Sequence, residues 1–172
     1  MALLPNKTAQ ISGVMICLDL TDEIIQQAVK NEINFIISHH PIFTNSKERK
    51  ASDYQLKLLK TLKEKKIAFA SYHTNLDNAP DGMNHYVAKQ LDLSQIKNIP
   101  GSGIITGRIG SAYRPKVFAS YIKNTFDLER VLYTSDELVK TVAICSGAGF
   151  SMFVEHAHAL KGIDLLVTGD MK

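Results

Sequence analysis

A strand–helix–strand pattern near the N-terminus constrains the fold of this chain most. Alternating apolar residues at Val14, Ile16 and Leu18 predict a strand. Thr21 follows and predicts the start of a helix, because its hydroxyl can accept hydrogen bonds from the first helical N–H groups. A second apolar run, 35–38, predicts another strand. Two strands joined through a helix pair in parallel in one sheet, so the pattern predicts an α/β fold.

The remainder of the sequence continues this alternation of helices and strands. Ser52 and Gln55 form a capping-box pattern at the start of the next helix. Leu56, Leu59 and Leu62 predict the buried stripe of that helix. Apolar runs predict further strands at 67–72, 104–109, 130–134, 141–145 and 163–168, and helical spacing predicts helices through 86–91, 117–126 and 152–160.

A proline- and glycine-containing stretch at 98–103 is the best candidate for a boundary. We therefore predict two small strand–helix–strand lobes with mixed sheets, residues 1–99 and 100–172. Residues 14–40 and 142–172 share an order of parts: a strand, a polar turn, a helix and an apolar strand that ends in polar residues. An internal duplication and the common pattern of strand–helix–strand units explain this similarity equally well.

Composition restricts the class of protein. The chain has 172 residues, of which 45% are hydrophobic and 22% charged, so it is a globular chain and not a disordered one. Its net charge of +3 is too small to indicate nucleic acid or an anionic membrane as a partner. Cys17 and Cys145 lack metal or redox spacing and favour a reducing compartment. Without a signal-peptide pattern or a membrane-spanning run, we expect a soluble, cytoplasmic protein.

The adjacent His39 and His40 form the strongest local signal for chemistry. Imidazole is the commonest transition-metal ligand in proteins. Neighbouring side chains on a regular strand point to opposite faces, so both rings face one cavity only where the chain leaves the strand. Pro41 indicates such a departure, because proline cannot donate to a strand ladder. The alternative interpretation is two polar residues at a strand exit.

Asp77 strengthens the metal interpretation, because it follows the third predicted strand in the sequence His-Thr-Asn-Leu-Asp. If the first and third strands are parallel neighbours, Asp77 can bridge two metals while His39 and His40 each bind one. Metals about 3.5–4 Å apart suit attack by an activated water. His73 would hydrogen-bond a metal ligand or act as an acid–base group, and a structural histidine at a strand end is an equally good explanation.

The remaining candidates are weaker. The loop Ser146-Gly147-Ala148-Gly149 precedes a helix and could hold an anion through its N–H groups, but a tight strand-to-helix turn explains it better. His85, His156 and His158 lie in predicted helices and are expected to be structural or exposed. The sequence has no nucleophile elbow and no signature of a serine-based triad.

Several segments, taken in order along the chain, resemble the NIF-three-like dinuclear metal-centre proteins, also called GTP cyclohydrolase 1 type 2 homologues. They are LDLT (18–21), SHHPIF (38–43), HTNLD with APDGMN (73–84), GRIG (107–110), AICSGAG (143–149) and GIDLLVTGDMK (162–172). The resemblance implies an α/β fold with an internal repeat, a toroidal homohexamer and two divalent metal ions per subunit. It implies His39, His40 and Asp77 as metal ligands, with His73 beside the site.

Members of the family that this sequence resembles supply another His and a Glu to the metals, from a GH-x-x-x-E segment after the TGDMK region, whereas this sequence stops at Lys172. The metal site of this sequence would therefore hold three of the expected protein ligands, and we expect a fragment, a shortened copy or a degenerate copy. Zinc, iron and manganese all suit two imidazoles and a carboxylate. We expect a metal-dependent hydrolase or cyclohydrolase acting on a nucleotide-like or phosphorylated small molecule. The alternatives are a metal-binding assembly or interaction protein without turnover, and an inactive truncated copy.

Overall fold

The computed structural model describes residues 2–3, 10–43 and 51–171, with the backbone alone described for 2–3. The chain divides into two compact units, residues 1–73 and 74–172. The boundary expected from the sequence, at 99/100, falls on the turn between two strands of the second unit. The division into lobes of residues 1–99 and 100–172 stays a prediction.

The first unit is built around a mixed four-stranded sheet. Strand β3 pairs in parallel with both β2 and β4, and β1 pairs antiparallel with β4, which gives the order β1-β4-β3-β2. The elements are β1 (Ala2–Leu3), β2 (Val14–Cys17), α1 (Asp22–Lys30), β3 (Phe35–Ser38), α2 (Asp53–Glu64) and β4 (Ala68–Ser71). The premise that the first and third predicted strands are neighbours is wrong, since β3 lies between β2 and β4.

Helix caps begin both helices of this unit where the sequence predicts them. The hydroxyl of Thr21 accepts a hydrogen bond from the backbone N–H of Ile24 at 3.3 Å. Ser52 and Gln55 form the complete capping box, with reciprocal bonds of 3.2 and 2.9 Å. Each cap satisfies N–H groups that have no partner within the helix.

The buried stripe of α2 differs from the predicted one at Leu56, whereas Leu62 is buried and Leu59 packs against the same core, as predicted. Leu56 is 51% exposed, whereas Leu58 and Leu62 are 3% and 0% exposed. Residues four apart share a helix face, and Leu56 lies two positions before Leu58, on the opposite side. Leu58 and Leu62 join a core that also includes Leu20, Ile25, Ala28, Ile36, Ile42, Ile67 and Phe69.

A second four-stranded mixed sheet organises the second unit. Its order is β5-β6-β7-β8, antiparallel from β5 to β7 and parallel between β7 and β8. The elements are α3 (Thr74–Asp77), α4 (Met83–Gln90), β5 (Ser94–Asn98), β6 (Ile105–Tyr113), α5 (Pro115–Thr125), β7 (Val139–Cys145), α6 (Phe150–Glu155), a 3-10 helix (Ala157–Leu160) and β8 (Leu165–Thr168). None of the helices among the described residues is long and apolar enough to cross a membrane.

One predicted strand of this unit is wrong, and one observed strand was missed. Residues 130–134 form no strand: Val131 packs against the core of this unit, but Leu132 is 87% exposed, so the run does not pair with the sheet. Strand β5 was not predicted, because Ile96 is its only apolar residue in the sequence Ser-Gln-Ile-Lys-Asn. It lies at the sheet edge, where only one neighbour contributes hydrogen bonds and polar side chains are tolerated.

The two units each contain a parallel strand pair joined through helical structure. Cys17 is in register with Ser38 in the first pair, and Cys145 is in register with Thr168 in the second. The equivalent register of the two pairs is expected from an internal duplication, and it is equally expected from the common geometry of strand–helix–strand units.

Asp164, the residue before β8, accepts hydrogen bonds from β7, and these bonds can be tested by mutation. Its carboxylate accepts hydrogen bonds from the Thr141 N–H and hydroxyl, both at 2.8 Å, and from the Lys140 N–H at 3.0 Å. The bonds from Thr141 hold the pKa of the Asp164 carboxyl below its usual value. Such a group stabilises the fold fully above its unfolded pKa of about 3.9, and the effect is lost as pH falls through the folded pKa.

We therefore expect Asp164→Asn to lower the free energy of unfolding by about 1 kcal/mol at pH 7, a value reduced for the exposure of this carboxylate. The loss should shrink towards pH 3 and below. Urea unfolding at both pH values measures it, with Asp136→Asn, another exposed aspartate of this unit, as the control. A loss that stays constant with pH would contradict this account.

Candidate metal centre

The backbone at the carboxyl end of β3 presents His39 and His40. The N–H groups of these residues donate to Cys17 O and Leu18 O at 3.0 and 2.9 Å, so the ladder to the β2 side continues past Ser38. The Ser38 hydroxyl donates to His40 O at 2.6 Å and closes a tight turn. The two imidazole centroids lie 5.1 Å apart, so both rings are on one side of the turn.

His73 lies beside this pair because β4 is the parallel neighbour of β3. The N–H of Tyr72 donates to Ser38 O at 3.0 Å, which continues the β3–β4 pairing to the residue before His73. The His73 ring centroid is 5.1 Å from that of His39 and 5.6 Å from that of His40. Parallel strands end at one edge of their sheet, and this brings the three imidazoles together.

The three histidines fit a metal ion by donor type and spacing. Each offers one ring nitrogen, and the three atoms lie within 4.8 Å of one another. A tetrahedral ion bound at 2.0–2.1 Å needs its nitrogens about 3.4 Å apart, so small side-chain rotations complete the geometry. His39 is half-buried, while His40 and His73 are exposed and can rotate. The sequence analysis placed His73 beside the site. In the structure His73 offers a ligand nitrogen within the same 4.8 Å as His39 and His40 do.

Asp19 is a site residue that sequence reasoning missed. Its carboxylate lies 2.8 Å from Nδ1 of His40. A carboxylate can only accept, so this bond places the proton on Nδ1 and leaves Nε2 of His40 for a metal. Asp19 follows β2 by two residues, and an acidic residue after a neighbouring strand was the available signal.

Cys17 ends β2 at the same edge but is not one of the clustered donors found among the described residues. Its thiol lies 3.7 Å from Ile37 O. Burial, and then the negative charge of Asp19, raise the pKa of the Cys17 thiol. A raised pKa keeps the sulfur protonated at neutral pH in the metal-free chain.

Asp77 ends α3 in the second unit. It lines a cavity of about 270 Å³ in that unit. Burial raises the pKa of the Cys145 thiol in the same unit, and the charge of Asp77 adds to that effect. The role of Asp77 as a ligand shared with the histidines of the first unit stays a prediction.

The Gly-containing loop after β7 is a hydrogen-bonded turn. Two of its N–H groups are used by side chains: that of Ser146 donates to Asn84 Oδ1 at 2.8 Å, and that of Gly149 donates to Thr168 Oγ1 at 3.0 Å. Gly147 O accepts from the N–H groups of Gly169 and Asp170. These bonds favour the interpretation as a structural turn over that of an anion site.

Fold and site together define an α/β protein with two mixed sheets and a cluster of three histidines at the carboxyl ends of two parallel strands. The family model described as Duf34/NIF3 (NGG1p interacting factor 3) matches residues 3–172. This chain belongs to the Duf34/NIF3 family.

Relatives and solved structures agree with this assignment. A GTP cyclohydrolase 1 type 2 homolog of Ureaplasma parvum is 32% identical and one of Streptococcus pneumoniae is 35% identical, each over 94% of this chain. The chain spans 64% of the length of both relatives. The crystal structure of a hypothetical protein of Staphylococcus aureus superimposes with a TM-score of 0.79 at 25% identity, over 99% of this chain and 71% of that one. The expected NIF-three-like fold is confirmed.

Proposed function

We propose that this chain holds a divalent metal centre through His39, His40 and Asp77, and that it acts as a metal-dependent hydrolase or cyclohydrolase. The observation that carries the proposal is the set of three imidazole nitrogens within 4.8 Å of one another, on His39, His40 and His73. Only three residues separate His73 from Asp77 in the sequence, so the chain between them spans at most about 14 Å. A second metal ion, bridged by Asp77, is part of the same proposal.

The residues around the histidines have distinct tasks. Asp19 fixes the ring of His40 with Nε2 available for the metal. His73 is either a third nitrogen ligand or the group that takes a proton from the attacking water. A divalent ion at this position polarises a water molecule and a phosphoryl or carbonyl oxygen. A cavity of about 210 Å³, lined by Asp19, His40 and Tyr54 among others, offers space for a substrate group.

The substrate class comes from the relatives, which are named as GTP cyclohydrolase 1 type 2 homologs. We extend this to a nucleotide-like or phosphorylated small molecule. The homohexamer implied by the resemblance, a cytoplasmic location and a metal identity of zinc, iron or manganese belong to the same proposal.

A metal-binding protein without turnover is the second candidate. The side chains of His40 and Asp19 are 45% and 59% exposed, and an open site does not exclude water from the reacting groups. Elemental analysis of the purified protein, followed by hydrolysis assays with nucleotides and phosphorylated sugars, separates the candidates. Bound metal with turnover supports the enzyme, and bound metal without turnover supports the second candidate. No bound metal after incubation with zinc, iron or manganese would contradict both.

Asp19 allows the orienting contact to be tested. We expect Asp19→Ala to weaken zinc binding by about 10- to 100-fold, because the partner of a ligating histidine sets its tautomer and orientation. Asp19→Asn keeps an acceptor but loses the charge, and should give a smaller loss. Competition with a coloured chelator measures both affinities. Glu64→Gln, an exposed carboxylate of the same unit, is the control, and equal affinities for Asp19→Ala and Glu64→Gln would refute this role.

A further inference from the structure

The cavity of about 210 Å³ beside the histidine cluster lies entirely within the first unit. Three segments line it: the residues that follow β2, those that follow β3, and the first two turns of α2. A cavity of about 150 Å³ is large enough to hold a benzene ring. This cavity therefore has room for an organic group of that size next to His40, one of the proposed metal ligands.

Gln55 holds the wall formed by α2 against the segment after His40. Its side-chain oxygen accepts a hydrogen bond from the Ser52 N–H at 2.9 Å, and its side-chain nitrogen donates to Ile42 O. Both polar atoms of this side chain are thus bonded within the protein. The same bonds fix the place of the adjacent Tyr54, so a ligand does not have to order this wall when it binds.

Tyr54 and its apolar neighbours give the cavity a surface that a ligand can reach. Tyr54, in the first turn of α2, is 49% exposed. Leu20 and Ile42 keep 8% and 7% of their surface exposed, and Pro41 is half-buried. Covering apolar surface that is in contact with water is favourable, and an aromatic side chain also stacks on a ring.

The charges at the cavity disfavour a phosphate inside it. Asp19 contributes a carboxylate to the lining. Among the residues that the structure describes, no lysine or arginine lines the cavity, and Lys57 on the same helix is bonded to Asp22 at 2.9 Å. A phosphate in the cavity would lie near a carboxylate without a cation to offset the repulsion.

We propose that this cavity binds an uncharged apolar group of the substrate, with Tyr54 as the specificity-determining residue. The inference rests on the proposed function, because it places the reacting bond at the metal held by His39 and His40. The phosphoryl or carbonyl group of the substrate is left for that metal. The proposed function is thereby narrowed to small molecules that carry an apolar part close to the reacting bond.

Calorimetric titration of the zinc-loaded chain with phosphonates, which are not hydrolysed, tests the inference through binding. Phenylphosphonate and methylphosphonate share the charged group and differ in the apolar one. We expect phenylphosphonate to bind about tenfold more tightly. Tyr54→Ala should reduce this preference to about threefold or less, whereas Tyr54→Phe keeps the ring and should retain it. Tyr86→Ala, at an exposed tyrosine of α4, should leave the preference unchanged.

A measurement on the chelator-treated chain separates this inference from the proposed function. Benzyl alcohol, a neutral ring without a phosphonate, should show nuclear Overhauser contacts from its ring protons to the methyl groups of Leu20 and Ile42. Circular dichroism verifies the fold of each variant, and Tyr54→Gln replaces Tyr54→Ala if the latter does not fold.

Equal binding of the two phosphonates by the zinc-loaded chain, or a preference that Tyr54→Ala leaves unchanged, would overturn the inference. Benzyl alcohol contacts in a chain that binds no zinc would overturn only the proposed metal centre. Bound zinc without those contacts and without a preference for the ring would overturn only this inference. A chain that binds neither zinc nor benzyl alcohol would overturn both.

Discussion

Replacing both His39 and His40 by alanine should reduce the affinity for divalent metal by more than 100-fold. These residues are two of the three clustered nitrogen donors, and loss of an outer hydrogen-bonding partner alone costs about 10- to 100-fold. The double variant should retain its fold, because His40 is exposed and His39 is only half-buried. Calorimetric titration with zinc and with manganese measures the affinity, and circular dichroism verifies the fold.

The matched control is the double variant His156→Ala/His158→Ala, whose rings also form a neighbouring pair, with centroids 6.4 Å apart. It should bind metal as the unaltered chain does. His73→Ala separates the two roles of that residue: a ligand loses metal affinity, whereas a proton-transfer group loses turnover with its affinity retained. If His39→Ala/His40→Ala and the control bind equally, the histidine cluster is not the metal site.

Gly82→Ala is expected to destabilise the second unit by about 3 kcal/mol or more. Gly82 is buried at the start of α4, and an added methyl group would collide with the carbonyl oxygen of Leu76 and lie 2.9 Å from that of Ala79. Both carbonyls belong to the backbone, and a backbone oxygen cannot swing aside as a flexible side chain does, so α3 and the segment after it must shift. Urea unfolding followed by circular dichroism measures the loss.

Gly110→Ala is the control for this substitution. Gly110 lies in β6, and a methyl group there would meet no atom within 4 Å. Its effect should therefore stay below about 1 kcal/mol. A loss for Gly82→Ala no larger than that for Gly110→Ala would show that the loop adapts freely, and that Asp77 beside it is not rigidly held.

Local patterns made much of the fold predictable. Thr21 and Ser52 mark helix starts through short-range hydrogen bonds, which depend only on nearby residues. The parallel pairing of β2 and β3 follows from the helix between them. The edge strand β5 was missed because its stability comes from its hydrogen-bonded neighbour β6 and not from apolar periodicity of its own.

The candidate site was only partly predictable, because the sequence shows contacts between adjacent residues but not contacts that depend on strand pairing. The pair His39 and His40 is visible in the sequence because the two residues are adjacent. His73 joins them through the pairing of β3 with β4, and Asp19 through the pairing of β3 with β2. Such contacts depend on strand order, and the order assumed from the sequence was wrong.

X-ray absorption spectroscopy at the metal edge of the zinc- or manganese-loaded chain tests the central claim most directly. The account predicts a first shell of nitrogen and oxygen with the multiple scattering of at least two imidazoles, and its loss in His39→Ala/His40→Ala. A shell without imidazole scattering, or one that the double substitution leaves unchanged, would contradict a metal centre built on these histidines.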